Sequence, residues 1–383
     1  MQTPTLGHHL LPNLRSIRWK AYSWDHVPFL RLFLNPGLVE VSLTLPDDGP
    51  HLYRAAAVSL IPTRNLTTLH LEPIEQDSTF LDALHNLLNE ASKTIQLVYL
   101  NGEVSTAVIE KLLQLPNLHL LCLSLPGAWI SPPKVVFPSL KHLAVCYREA
   151  GSWLHVLRSI PTPTLQELGV AFSASSPTYL QTLGSSLLDA RIDRTLAVLE
   201  CSSENKIPLT EAGIRPLLSF GRLTTLKLTN SCTKERGGVQ LNDSIISELA
   251  RALPQLTSLV LGDIPCRSPT PCVTAASLVA LSTNCVDLDL LRLHFNTNGI
   301  VFCGTTYANP QMHKFACKLR TLSVGSQPLP SEPNDILLVT FTILHIFPHV
   351  ETIAHKGGDW KQVKQGVQLF REVPRIVSLP TAN

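Results

Sequence analysis

Apolar residues return along the chain in one phrase, L-x-x-L-x-L, with Ile or Val standing in for Leu. The chain writes LPNLRSIRW at 11–19, LPNLHLLCLSL at 115–125 and LPQLTSLVL at 253–261. The first aliphatic position of the phrase falls at Leu14, Leu38, Leu66, Ile95, Leu118, Leu140, Leu165, Leu196, Leu223, Leu256, Leu288, Leu319 and Val350, at spacings of 22 to 33 residues. A catalytic motif occurs once, whereas a phrase that recurs over the whole length marks a stacked structural unit. Its second half alternates with period two, which predicts a short strand with one apolar face. Between the phrases lie segments with helical spacing. TFLDALHNLLNEAS (79–92) aligns Phe80, Leu81, Leu84, Leu87 and Leu88 on one stripe. VSTAVIEKLLQL (104–115), SPTYLQTLGSSLLDA (176–190) and DSIISELARAL (243–253) read the same way, with Asp243 as the expected N-cap of the last.

Strand and helix in alternation predict an α/β chain with a parallel sheet and helices on one side. Strands stack about 4.8 Å apart, whereas helices need about 10 Å each. The two sides cannot match in width, so the expected stack curves into a horseshoe, with strands on the concave face and helices on the convex face. The spacings resemble those of leucine-rich repeats, whose units run about 20–29 residues. The reading is a solenoid of about 13 irregular units over residues 1–357, then a C-terminal capping helix and tail over 358–383. The cap is WKQVKQGVQLFREV (360–373), with Trp360, Val363, Val367 and Phe370 on one helical face. At the other end, Leu14, Ile17 and Trp19 are expected to present an uncovered apolar edge.

Composition narrows the function. With 44% hydrophobic and 16% charged residues in 383, the chain is not a charged disordered one. A net charge of +2 makes no global field for nucleic acid or an anionic membrane. The first residues, MQTPTLGHHLLPNL, lack a basic start and a long apolar core, so no signal peptide is expected. The longest apolar stretch, ILLVTFTILHIF (336–347), is too short to span a bilayer. The expected location is cytoplasmic or nuclear, with the nine scattered cysteines reduced. The two glycosylation-type triplets, at Asn65 and Asn242, are taken as chance matches.

The phrasing of LPNLRSIRW, FLRLFLNPGLVEVSLTL (29–45), FPSLKHLAVCY (137–147) and TPTLQELGVAF (162–172) resembles the F-box/leucine-rich-repeat proteins, especially their large fungal branch. The resemblance implies a substrate receptor of a Skp–cullin–F-box ubiquitin ligase, in which the repeats choose the protein to be degraded. The chain departs from that family in two ways. No F-box stands ahead of residue 11, so a Skp-type adaptor is expected as a partner only where an upstream F-box exists. The Asn or Cys usual three residues after the last Leu of the motif is mostly replaced, by Tyr22, Pro46, Ile74, Glu103, Pro126 and Arg148, so no asparagine ladder is expected.

No phosphate-binding, nucleophile-elbow or zinc-protease motif occurs, and no catalytic residue, cofactor or metal site is assigned. The pair Asp287 and Asp289 reads as turn residues. In a repeat stack the outward residues of each strand form the binding surface. At its centre these are Leu97, Tyr99, Leu120, Cys122, His142, Ala144, Cys146 and Glu167, small and apolar with one aromatic, so a protein target is expected there. The two cysteines also suit simple strand packing. A second candidate is the rim of long loops after the later strands, made mildly basic by Lys234, Arg236 and Arg267. The expected function is non-enzymatic protein binding for ubiquitin-dependent turnover. Alternatives are a freestanding repeat scaffold or inhibitor and, more distantly, an enzyme whose site is assembled across repeats.

Overall fold

A computed structural model describes residues 10–46, 51–72, 77–125, 138–147, 164–172, 178–203, 209–230, 239–262, 272–296, 317–324, 333–355 and 360–376. The chain divides into two compact units, 1–171 and 172–383.

In the first unit the main strands are β1 (Ser16–Lys20), β2 (Glu40–Thr44), β3 (Thr68–Glu72), β4 (Leu97–Glu103), β5 (Leu120–Leu125), β6 (His142–Tyr147) and β7 (Glu167–Phe172). They lie side by side in chain order, and each pair from β1 to β6 is parallel. Between them come a 3₁₀ helix (Trp24–Leu32), α1 (His51–Ser59), α2 (Ser78–Glu90) and α3 (Thr106–Leu113). In the second unit the main strands are β8 (Val198–Ser203), β9 (Thr225–Asn230), β10 (Ser258–Leu261), β11 (Leu290–Leu293), β12 (Thr321–Ser323) and β13 (Thr352–Ala354), again parallel and in chain order. They alternate with α4 (Tyr179–Asp189), a helical turn Glu211–Ile214 running into a 3₁₀ segment, α5 (Asp243–Ala252), α6 (Ala275–Asn284), α7 (Pro333–Ile346) and α8 (Trp360–Ile376).

Every one of the thirteen strands begins two residues after the first aliphatic position of its phrase. The reason is visible in the burial. The leading residue, from Leu38 to Val350, is fully enclosed, and so are the two alternate strand residues that follow, such as Leu69 and Leu71 or Leu226 and Leu228. Each contributes roughly 1.5–3 kcal/mol by leaving water.

The main chain fixes the register. One carbonyl per unit, on the residue after the leading aliphatic, accepts from two successive N–H groups of the next unit. Thr67 C=O accepts from Gln96 and Leu97, Gln96 C=O from His119 and Leu120, and Thr224 C=O from Thr257 and Ser258, all at 2.7–3.1 Å. Side-chain bonds ahead of the strands reinforce this register. Asn117, the Asn of LPNL, donates to Lys93 C=O at 2.9 Å, Asn65 to Pro36 C=O at 2.9 Å, and Ser139 to Pro116 C=O at 2.8 Å. In the second unit cysteines do similar work. The Cys285 thiol lies 3.6 and 3.5 Å from the Ala250 and Leu253 carbonyls, and the Cys317 thiol 3.5 and 3.7 Å from those of Cys285 and Leu288.

Three expectations are corrected. The N-cap of α5 is Asn242, whose side chain accepts from Ile245 N–H, and not Asp243. Asp243 instead reaches the start of α6, accepting from Thr274 N–H at 2.7 Å, Thr274 Oγ1 at 2.6 Å and the Ser277 hydroxyl. Ile17 is buried at 8% exposure, because the 3₁₀ helix after β1 folds Val27 and Leu30 inward and Phe33 meets the Trp19 ring at 5.5 Å. Pro28 inside that segment has no N–H to give, and short 3₁₀ winding accommodates it. In α8, Trp360, Val363 and Val367 are buried as expected, but Phe370 is only half-buried and packs on Phe341 of α7 at 4.5 Å.

Candidate protein-interaction face

The alternation of each strand that buries its leucines sends the intervening residues to the opposite face. In the first unit the register aligns them into rows. One row runs Ser42, His70, Tyr99, Cys122 and Ala144 across β2 to β6, and Gly169 of β7 continues it beside Ala144. A Cβ added to Gly169 would sit 3.6 Å from the Ala144 Cβ. Side-chain size therefore falls steadily from Tyr99 to Gly169, leaving a hollow over Ala144 and Gly169 with Tyr99 as its wall. The neighbouring row is Leu97, Leu120 and His142, with Glu167 beside it. Leu97, Leu120 and Cys122 are half-buried, and Cys146 is exposed on the far side of the hollow.

Polar groups on this face are mostly tied to one another. His142 Nδ1 meets Glu167 Oε2 at 2.8 Å, Ser42 Oγ is 3.3 Å from His70 Nδ1, and the His70 and Tyr99 rings lie 5.7 Å apart. Burial, and secondarily the Cys146 thiol, push the Cys122 thiol above its ordinary value. That is the reverse of what a nucleophilic cysteine needs. The face thus offers apolar area, one aromatic and a His142–Glu167 contact. All eight expected face residues stand on it. The packing role suggested for Cys146 does not hold, since its side chain is exposed.

The strand face of the second unit differs. Glu200 and Lys227 form an ion pair on it, but Val260, His294 and Ser323 are buried at 5%, 1% and 3% exposure. This part of the face is closed at that level. Lys234, Arg236 and Arg267, the expected loop rim, lie outside the described residues. Beside the long loops, Val239–Gln240 pairs in parallel with Leu209–Thr210, and Asn242 bridges Cys272, pairings that the repeat phrase does not signal.

Sequence reasoning also missed a groove of about 720 Å³ at the start of the second unit's strands, lined by Thr224, Gln255, Thr257, Asp287, Asp289, Lys318 and Arg320. Asp287 meets Lys318 at 2.7 Å and Asp289 meets Arg320 at 3.4 Å, so the two acids of the D-x-D pair are engaged by cations of the next unit. These pairs are exposed and contribute about 0–1 kcal/mol each. The signal for them was the repeat alignment, which places residues 287 and 318, and 289 and 320, one unit apart. Among the described residues no cluster of three or more His, Cys, Asp or Glu side chains is arranged to hold a metal ion, and no helix is long and apolar enough to cross a membrane. No protein-family model and no curated protein matches this chain.

Proposed function

We propose that this chain is a leucine-rich-repeat horseshoe acting as a non-enzymatic receptor for another protein, with the hollow of the first unit's strand face as its contact. The observation that carries the reading is the aligned row from Tyr99 through Cys122 and Ala144 to Gly169, flanked by half-buried Leu97 and Leu120. An aromatic wall beside apolar area, with few free charges, is the composition of an interface core. The ligase connection rests on the phrasing of the repeats. In that reading the chain selects a protein for ubiquitin-dependent degradation, with a Skp-type adaptor joining through an F-box.

The test fills the hollow without touching the core. Gly169→Arg adds bulk on the open face, and Tyr99→Ala removes the wall. Truncating an interface anchor costs about 2 kcal/mol, roughly 30-fold in affinity. Proteins captured from the native source by the wild-type chain are to be quantified against both variants, each with an unchanged melting temperature. Capture undiminished by either variant rules the hollow out. Binding of purified Skp-type adaptor to the native full-length product separates ligase receptor from freestanding scaffold.

A further inference from the structure

A second surface lies at the outer edge of the first unit. Among the described strands β1 pairs only with β2. In a parallel pair, alternate residues turn their backbone groups to the neighbour. The Arg15 carbonyl accepts from Val39 and Glu40, and Ala21 N–H donates to Thr44, so the odd positions serve β2. Ser16, Arg18 and Lys20 therefore direct their N–H and C=O groups to the outer edge. Beside that edge is a pocket of about 520 Å³ with an apolar floor of Trp19, Phe29, Leu32 and Phe33 and a rim of Arg18, Lys20 and His26. Among the described residues no carboxylate lines it. The nearby acids are engaged elsewhere: Asp25 accepts from the Ser23 hydroxyl at 3.3 Å and Glu40 from the Ser16 hydroxyl at 3.0 Å. Phe29 is 56% exposed, and the Trp19 indole N–H, shut off from water, has no acceptor among the described residues.

We propose that this edge binds an extended acidic peptide as an added strand, one that carries an acid–apolar–acid triplet. The alternation of β1 sets that pattern. Arg18 and Lys20 stand on one face and Trp19 on the other, so a paired strand places two carboxylates against the cations and the apolar side chain between them over the aromatic floor. Main-chain bonds supply affinity, the pocket and the charges supply selection, and basic peptides are repelled. A second copy of this chain is the wrong occupant. A two-fold edge-to-edge contact sets Arg18 and Lys20 against their own copies, and like charges so placed are destabilising. The site is separate from the hollow and stands or falls independently of it.

The test is fluorescence anisotropy with a labelled Thr-Glu-Leu-Glu-Val-Thr peptide, its counterpart with lysines for glutamates, and a version N-methylated at the Glu-Leu pair. The expected result is at least about tenfold tighter binding of the acidic peptide than of the basic one. N-methylation should weaken it by about tenfold, because it removes edge hydrogen bonds. The variant Arg18→Glu with Lys20→Glu, both exposed positions, should keep its melting temperature and reverse the charge preference. Equal affinity for the acidic and basic peptides, a preference that survives the reversal, indifference to N-methylation, or no saturable binding at about 1 mM peptide would each overturn the proposal.

Discussion

Asp243 joins two repeats through one carboxylate, and its removal gives a measurable cost. The group takes three donors from the start of α6: Thr274 N–H at 2.7 Å, Thr274 Oγ1 at 2.6 Å and the Ser277 hydroxyl. Ser277 is completely buried, so its hydroxyl has no water to turn to. Hydrogen bonds to a charged acceptor are each worth about 1.5–3 kcal/mol net, but they are not additive. Asp243 is also half-exposed, which lets water compensate part of the loss at Thr274. Asp243→Ala should therefore cost about 2–4 kcal/mol, while Ser277→Ala alone should cost about 1–2. The decisive quantity is their coupling. Once the carboxylate is gone, the Ser277 hydroxyl is a buried donor without an acceptor, and deleting it should cost nothing or restore stability. A double-mutant cycle by urea unfolding, followed by circular dichroism, should give a coupling energy above about 1 kcal/mol. Costs that add to within about 0.3–0.5 kcal/mol would show that the carboxylate does not hold this hydroxyl, and the inter-repeat role assigned to Asp243 would fall.

Further expectations follow from packing and burial. Gly184→Ala should lower the melting temperature despite the better helix propensity of alanine, because the new Cβ would lie 2.6 Å from the Pro216 Cβ; an unchanged or raised value would contradict the close approach. Among the cysteines of the described residues, thiol labelling of the native protein, read by peptide mapping, should modify Cys146 and Cys272 first, and Cys201, Cys285 and Cys317 only on unfolding; early labelling of Cys285 would refute its burial. Burial, with a smaller effect of Cys317, pushes the Cys285 thiol from 9.0 up to about 12, and burial likewise raises Cys317 to about 11. Because the folded values are the raised ones, the stabilisation is complete below about pH 9 and fades as pH climbs toward 11–12. Urea midpoints should fall over that window, and Cys285→Ser, which keeps a donor but does not ionise there, should make the fall shallower.

The strands were legible because their signal is local and doubled. A buried leading aliphatic and two alternating ones fix both existence and phase, and all thirteen starts follow. Helices α2, α3, α4, α5 and α8 were legible for a similar reason, a polar face against an apolar stripe. Helices α1 and α6 were not. AASLVALSTN in α6 is apolar or small around most of its circumference, so no stripe stands out. The segment 336–347 was noticed only as an apolar run, although all of it but Phe347 lies in α7. The eight face residues could be placed because side-chain alternation and repeat register together assign a row and a column to each. The hollow could not, since it depends on the absence of a side chain at Gly169 next to Ala144. Asp243 was missed by one position because Asn242 and Asp243 are both good caps, and only the next repeat reveals which carboxylate is needed elsewhere.

The carbonyl that accepts twice in each unit has a consequence for engineering. The contact is made chiefly by main chain, with the Thr67, Thr224 and Thr257 hydroxyls adding a third donor to the preceding carbonyl at 3.0–3.2 Å, so it asks little of the side chain at that column. The occupants bear this out, running Arg15, Val39, Thr67, Gln96, His119 and Lys141 in the first unit and Ala197, Thr224, Thr257, Asp289 and Arg320 in the second. Cation, acid, amide, hydroxyl and alkyl groups all serve at one geometry. The column is a margin on which any chemical text can be written, unit by unit and at strand spacing, without disturbing the page. A graft of designed residues along it would carry a new recognition sequence at no cost to the leucines behind it.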